Sequence, residues 1–157
     1  LLAMSFSQVI IGLLAMGLTY LTAMGFGYRG TGSFMAMVVV GILSCLAIIA
    51  ISVLVSAVLR SVFDLVTIGC FPFFILMFFS GGMFPIPTIS LLTIGARSIN
   101  VNDVLPTTHS VTAFGKILNR GLGLGDVVFE IWAIAFLTLF FFACGVWLFT
   151  RRHMVGK

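Results

Sequence analysis

Few side chains in this sequence could carry out a chemical step, and Ser80 with His109 is the clearest pair. Ser80 opens a Ser-Gly-Gly motif, and His109 lies in a polar stretch farther along the chain. Serine catalysis needs a positioned base, a third group that orients this base, and an oxyanion site. No third group accompanies this pair. We therefore predict a capping or surface role for His109 and no enzymatic activity for the chain.

The sequence also lacks the motifs of metal, phosphate and nucleic-acid chemistry. Its three cysteines lie singly in apolar runs without metal-ligand spacing, which predicts reduced, buried packing residues. No Gly-rich loop is followed by Lys-Ser or Lys-Thr, so the chain has no ATPase site of its own and we expect it to bind no cofactor. The net charge of +4 comes from scattered Lys and Arg, which argues against a nucleic-acid partner. The cysteines are Cys45, Cys70 and Cys144.

The elements that must position these residues have the composition of membrane helices. Hydrophobic residues make up 61% of the chain and charged residues 8%, against about 25% charged in soluble domains. A spanning helix needs about 20 apolar residues. The sequence therefore predicts an all-α polytopic helix bundle, one transmembrane domain over residues 1–157. Because it opens on an apolar run without an initiator Met, we expect it to be a fragment. The four stretches that could span lie near residues 7–27, 33–59, 62–80 and 127–150, and the last two have one charge each, Asp64 and Glu130, near their starts.

Two features within these stretches predict how the helices pack. Small residues recur at helical spacing, beginning at Gly12 in the first stretch and at Gly41 with Cys45 in the second. Such residues let membrane helices approach closely, and packing within the chain is favoured over a seam between two copies. Pro72 lies inside the third stretch and predicts a kink.

The third stretch ends in an unusual way, at the sequence FFSGGMFPIP. Gly81 and Gly82 can adopt positive φ and break a helix, and Pro85 and Pro87 cannot continue one. Residues 86–96 then carry no charge, although they are too short to span. We predict that they form a short helical piece that returns toward the membrane.

A second short helix is predicted after this piece. Pro106 suits its first turn, and the sequence GLGLG ends it near residue 121. Asp126 then offers an N-cap for the last span, and Glu130 lies in that span's first turn, where the helix dipole favours a negative charge. Residues 81–126 therefore form a predicted re-entrant or interfacial element, acting as a lid or plug. The helix is amphipathic, with Val111, Phe114, Ile117 and Leu118 on one face and His109, Thr112, Lys116 and Asn119 largely on the other.

In this order, the motifs resemble the C-terminal half of type-2 ATP-binding cassette exporter permeases. That family has a span ending in Ser-Gly-Gly or a similar break, followed by Phe-Pro. It then has Pro-x-x-His, an amphipathic stretch, Gly-Asp before the last span, and a basic tail. The resemblance covers almost the whole chain, and the order of the motifs is more specific than any one of them. The matching positions are Ser80–Gly82, Phe84–Pro85, Pro106, His109, Gly125–Asp126 and Arg151–Arg152.

The resemblance implies spans three to six of a six-span permease half in a bacterial inner membrane. It implies pairing with a second half, as a homodimer, and with a cytoplasmic ATPase subunit that holds ATP and Mg²⁺. The break element would be extracellular and the C-terminus cytoplasmic, which agrees with a weak lean in the charge distribution. Arg60, Ser61 and Asp64 would face the ATPase, although a local ion pair between Arg60 and Asp64 is the favoured alternative.

The resemblance also implies that the third stretch lines the substrate path. Phe71, Phe74 and Phe78 would form its wall or gate, with packing against lipid as an equal alternative. A channel, a secondary transporter and a membrane scaffold remain open as functions. Secondary transporters place ionisable residues inside the membrane, and these four stretches have none away from their ends.

Overall fold

Long helices dominate the computed structural model of this chain. The described residues are 2–28, 30, 32–59, 63–64, 69–82, 90–94 and 97–153. Their elements are, in order, helices α1 (Leu2–Gly25), α2 (Phe34–Val58) and α3 (Cys70–Phe79), strands β1 (Ser90–Ile94) and β2 (Arg97–Asn100), a 3-10 turn (Val101–Val104), helix α4 (Pro106–Arg120), a second 3-10 turn (Leu124–Val127) and helix α5 (Val128–His153).

Three of the helices are long and apolar enough to cross a membrane. The stretches Phe6–Gly25, Phe34–Val58 and Leu124–Arg151 have mean hydropathies of 1.6, 3.0 and 2.3. The prediction of an integral membrane protein is confirmed by the length and composition of these helices. Exposed Trp132 and Trp147 lie toward opposite ends of α5, as expected of residues that favour membrane interfaces.

Helix α3 covers only part of the predicted third span. Its 10 residues rise about 15 Å, half of a hydrocarbon core of about 30 Å. Gly69 lies in a turn, and its N–H donates to the carbonyl of Asp64 at 3.1 Å. The helix begins just after this turn, so Pro72 is in the first turn of α3. A first-turn N–H has no helical partner to lose, and residues 65–68 lie outside the described residues, so the predicted kink at Pro72 stays a prediction.

Helix α2 is the centre of the bundle and packs along α5, α4 and α1. Glycines allow close approaches between these helices. A Cβ on Gly145 of α5 would lie 2.9 Å from the backbone nitrogen of Leu54, and a Cβ on Gly12 of α1 would lie 2.6 Å from Cys45 Sγ. The predicted packing of small residues within the chain is therefore confirmed at Gly12 and Cys45.

Residues 90–94 and 97–100 form two paired β-strands, so the predicted helical piece at residues 86–96 is wrong where it is described, at residues 90–94. Strands β1 and β2 pair antiparallel, with Leu92 opposite Ile99 and Ile94 opposite Arg97, and an irregularity between Ser90 and Leu92. A short apolar run does not distinguish a strand from a buried helix. The length of the run and the glycine that follows it favour a strand.

Helix α4 is predicted well, including its start at Pro106 and its end. Gly121 closes it at φ 67, in the left-handed region that suits glycine. The loop between α1 and α2 holds its C-terminal end. The Tyr28 hydroxyl donates to the carbonyl of Leu118 at 2.7 Å, which provides a partner for a carbonyl that the helix leaves open. Gly32 lies so close to Ile117 that an added Cβ would be 2.1 Å from its carbonyl oxygen.

Candidate functional site

The break after α3 is built by Ser80 and Gly81. Ser80 caps the helix, its N–H donating to the carbonyl of Leu76 at 3.0 Å and its hydroxyl to that of Met77 at 3.0 Å. Gly81 adopts φ +76, and Gly82 does not have positive φ. Positive φ is confirmed for Gly81 and is not adopted by Gly82, although both lie in the break. Gly82 instead donates its N–H to the Ser80 hydroxyl at 3.4 Å. Pro85 and Pro87 lie outside the described residues.

A cavity of about 310 Å³ lies where this break meets α2 and α4. We call it the hydroxyl cavity, because one hydroxyl side chain comes from α2, one from the break and two from α4. The rest of its described lining is apolar, including Ile48, Phe73, Leu76 and Phe114. The four hydroxyl residues are Ser44, Ser80, Thr107 and Ser110.

Three of these hydroxyls already donate to their own helices. Ser44 donates to the carbonyl of Val40 at 2.7 Å, and Ser110 to that of Pro106 at 3.0 Å. Ser80 donates within α3. Their oxygens therefore retain acceptor capacity toward the cavity. Thr107 differs, because its buried Oγ1 has no hydrogen-bond partner among the described residues.

His109 lies on α4 between two residues of this cavity, Thr107 and Ser110, and its contacts are structural. Its Nε2 lies 2.9 Å from the backbone carbonyl of Asp103, and a carbonyl only accepts, so Nε2 carries the proton in this contact. Its ring packs edge-on against Phe129 at a centroid distance of 6.1 Å. His109 and Ser80 thus have different hydrogen-bond partners and are not joined as nucleophile and base in the described contacts. Pro106 is the first residue of the Pro-x-x-His pattern and of α4, and its side chain is fully buried.

An ion pair that the sequence analysis missed fastens α4 to α5. Lys116 Nζ lies 2.6 Å from Glu130 Oε1, with the side chains 28% and 7% exposed. The second oxygen, Glu130 Oε2, is buried without a hydrogen-bond partner among the described residues. Glu130 does lie in the first turn of α5, as predicted. The sequence signal was a pair of opposite charges on either side of the short connection between α4 and α5. Sequence alone does not show that the two side chains meet.

Asp126 has a different local role from the one predicted. It lies inside the second 3-10 turn rather than at the N-cap of α5. Its Oδ2 accepts the N–H of Gly123 at 3.2 Å. The carboxylate therefore stabilises the turn that leads into the helix.

The three predicted path residues share an exposed face of α3. Phe71, Phe74 and Phe78 are 66%, 54% and 44% exposed. The opposite face carries Leu76 and lines the hydroxyl cavity. The aromatic face is thus open to lipid or to another chain.

The remaining predicted residues are only partly described. Arg60 and Ser61 lie outside the described residues, so neither the proposed ATPase contact nor the local ion pair with Asp64 is tested. Asp64 is described and half-buried. Among the described residues, no cluster of three His, Cys, Asp or Glu side chains could hold a metal ion. Cys70 is exposed, contrary to the prediction of a buried cysteine.

Comparison of the chain with family models, curated proteins and solved structures found no match. The resemblance to exporter permeases therefore depends on the order of motifs in the sequence.

Proposed function

We propose that the chain is a membrane-spanning permease subunit of an ATP-driven exporter of the ATP-binding cassette class. It forms the substrate path by alternating access, and a separate cytoplasmic ATPase subunit binds ATP and Mg²⁺ and hydrolyses the nucleotide. The chain pairs with a second permease half, as a homodimer, in a bacterial inner membrane. Its C-terminus faces the cytoplasm, and the segment around residues 62–80 provides a fourth crossing.

The position of α4 carries this proposal. Thr107 and Ser110, near the start of α4, share the hydroxyl cavity with Ser44 and Ile48. Those two residues lie about three and four turns into α2, a helix of 25 residues. An amphipathic helix that begins beside the middle of a spanning helix supports a re-entrant element.

The contacts around α4 support its role as a lid. Its C-terminal end is held by Tyr28 and Gly32 of the α1–α2 loop, and its middle by the Lys116–Glu130 pair. The break at Gly81 lies nearby, since a Cβ on Gly82 would be 3.5 Å from Val111. One short helix thus contacts α2, α3, α5 and the loop between α1 and α2, and in this proposal it closes the path on the side opposite the ATPase.

The exposed aromatic face of α3 supports its place along the path. An exposed stripe of Phe71, Phe74 and Phe78 gives a second permease half a surface to face across a central passage. An apolar passage favours apolar or amphipathic cargo. Energy comes from the partner subunit, because the sequence has no phosphate-binding loop.

A secondary transporter is the second candidate, and one observation favours it. Glu130 is 5% exposed and has one buried oxygen without a described partner, and buried carboxylates often serve ion-coupled transport. Lys116 pairs with this carboxylate at the N-terminal end of α5. This position fits a structural ion pair between two helices better than a proton pathway through the membrane.

Purification of the protein from its own membranes in mild detergent tests the proposal. We expect an ATPase with a phosphate-binding loop to purify with it, and vanadate with ATP and Mg²⁺ to trap nucleotide in the complex. A protein that purifies alone, with no effect of nucleotide, would contradict the proposal. Transport driven by a proton or sodium gradient and lost in Glu130→Gln would favour the second candidate.

A further inference from the structure

The hydroxyl cavity has the chemistry of a binding site for an uncharged molecule. Its described lining offers hydroxyl groups and apolar side chains, and none of these residues is charged. A charged ligand buried there would lose its hydration without gaining an opposite charge. The volume of about 310 Å³ is at the lower end of small-ligand pockets, about 300–1,000 Å³.

Thr107 is the residue of this cavity whose hydroxyl lacks a partner among the described residues. Buried hydroxyl groups in folded proteins nearly always have a hydrogen-bond partner. Thr107 lines the cavity, and its buried Oγ1 has no partner among the described residues. Because Ser80 and Ser110 use their protons within their own helices, they accept rather than donate. A ligand with a hydroxyl group would satisfy both needs, donating to a serine and pairing with Thr107.

A second, wholly apolar groove adjoins this cavity. It has a volume of about 390 Å³ and runs between α2 and α3 against Phe141 of α5. Its lining includes Val55, Pro72 and Ile75. Leu76 lines both spaces, so the hydroxyl cavity and the apolar groove meet at this residue.

We infer that the two spaces together bind a neutral, hydroxyl-bearing lipid, such as a monoacylglycerol, taken from the surrounding bilayer. The head lies among Ser80, Thr107 and Ser110, and the acyl chain passes Leu76 into the apolar groove. The lipid would thereby pack the start of α4 against α2 and α3. This inference goes beyond the proposed function and holds whether or not an ATPase partners the chain.

Photo-crosslinking in native membranes tests this site directly. The probe is a monoacylglycerol with a diazirine and an alkyne on its chain. Two matched probes carry the same chain as a free fatty acid and as a methyl ester, which respectively add a charge and remove the hydroxyl groups. We expect the monoacylglycerol probe to label peptides of α2, α3 or α5 that line the groove, and unlabelled monoacylglycerol to compete. The other two probes should label them several-fold less.

A pair of threonine variants separates the site from general lipid contact. Thr107→Val keeps the side-chain shape and removes the hydroxyl, so labelling at half-saturating probe should fall about fivefold. Thr138→Val is the control, because Thr138 Oγ1 is also buried without a described partner but Thr138 lines neither space. Its labelling should match that of the wild type. Ser110→Leu, which fills the cavity, should abolish specific labelling in protein that still purifies as a folded species.

Equal labelling of Thr107→Val and Thr138→Val would overturn the inference, because the Thr107 hydroxyl would then contact no ligand. Crosslinks outside the groove, or equal labelling by the fatty acid probe, would also overturn it. No nucleotide or ATPase enters the measurement. A failure here together with a co-purifying ATPase would reject the lipid site alone, and labelling without an ATPase would reject the permease proposal alone.

Discussion

The ion pair between Lys116 and Glu130 joins α4 to α5 through a buried carboxylate. Glu130 is 5% exposed, so its carboxylate has lost most of its water and depends on the ammonium group beside it. Burying such a pair costs desolvation free energy, and its net value can be small. Removing one partner is different, because the other charge then stays buried without compensation.

We therefore predict a strong asymmetry between single and double variants at this pair. Lys116→Met should lower the free energy of unfolding by about 3 kcal/mol, near the lower end for a broken buried pair, because Lys116 is 28% exposed. The double variant Lys116→Met with Glu130→Leu should recover most of this loss. Unfolding in detergent, followed as a double-mutant cycle with Glu130→Leu alone, measures the coupling. Losses that simply add would contradict the account.

Residue-scale prediction from sequence succeeded where a local conformation determined the role. Gly81 and Pro106 were assigned correctly, because a helix break and a helix start depend on φ and on a missing N–H. Thr107, Ser110 and Lys116 were not identified as site residues. Their roles come from contacts with α2, α3 and α5, which are distant in sequence and invisible to local patterns.

At the scale of elements, two adjacent residues make the break after α3. Ser80 ends α3 with two hydrogen bonds, and Gly81 turns the chain in the left-handed region. An L-residue in that region costs about 1–2 kcal/mol. Gly82 does not have positive φ, so its backbone conformation suits any residue. A Cβ there would make an ordinary van der Waals contact with Val111 at 3.5 Å.

Adjacent glycines thus provide a matched pair of variants. Gly81→Ala should lower the free energy of unfolding by about 1–2 kcal/mol and should reduce transport coupling by displacing α4. Gly82→Ala should stay within about 0.5 kcal/mol of the wild type. Thermal unfolding in detergent compares the two. Equal stability of both variants would show that the left-handed turn at Gly81 is not needed.

Element prediction was accurate for long periodic segments and poor for short ones. Helices α1, α2 and α5 agree with uncharged runs long enough to span, and α4 agrees with its amphipathic pattern. Strand β1 at residues 90–94 lies within the predicted helical piece at residues 86–96, because strand pairing between Leu92 and Ile99 is a contact that hydropathy does not reveal. The start of α3 at Cys70 was missed, because the turn at Gly69 is surrounded by apolar residues.

At the scale of the whole molecule, the contacts of α4 place several elements at one end of the bundle. Tyr28 bonds to Leu118, and Lys116 bonds to Glu130, so the α1–α2 loop, α4 and the start of α5 lie together. The C-terminal end of α5 lies at the other end, where the Arg151 guanidinium is 4.5 Å from the Trp147 ring centroid. The proposal assigns the first end to the outside and the second to the cytoplasm.

Single cysteines in a background without native cysteines test this orientation. Asn119→Cys on α4 should react with a membrane-impermeant maleimide in intact cells, because Asn119 is exposed on the outer side in the proposal. Thr150→Cys, exposed near the end of α5, should react only after permeabilisation. The opposite pattern would place α4 on the cytoplasmic side and remove its role as an outer lid.

Alternating access at α3 is the central claim, and its most direct test is the reaction rate of a cysteine at Phe74. Phe136→Cys is the control, because Phe136 is also an exposed phenylalanine, 69% exposed on α5. In the complex reconstituted with its ATPase, vanadate trapping should change the maleimide reaction rate of Phe74→Cys several-fold and leave that of Phe136→Cys unchanged. Identical rates for Phe74→Cys in the nucleotide-free and trapped states would contradict a substrate path along this face.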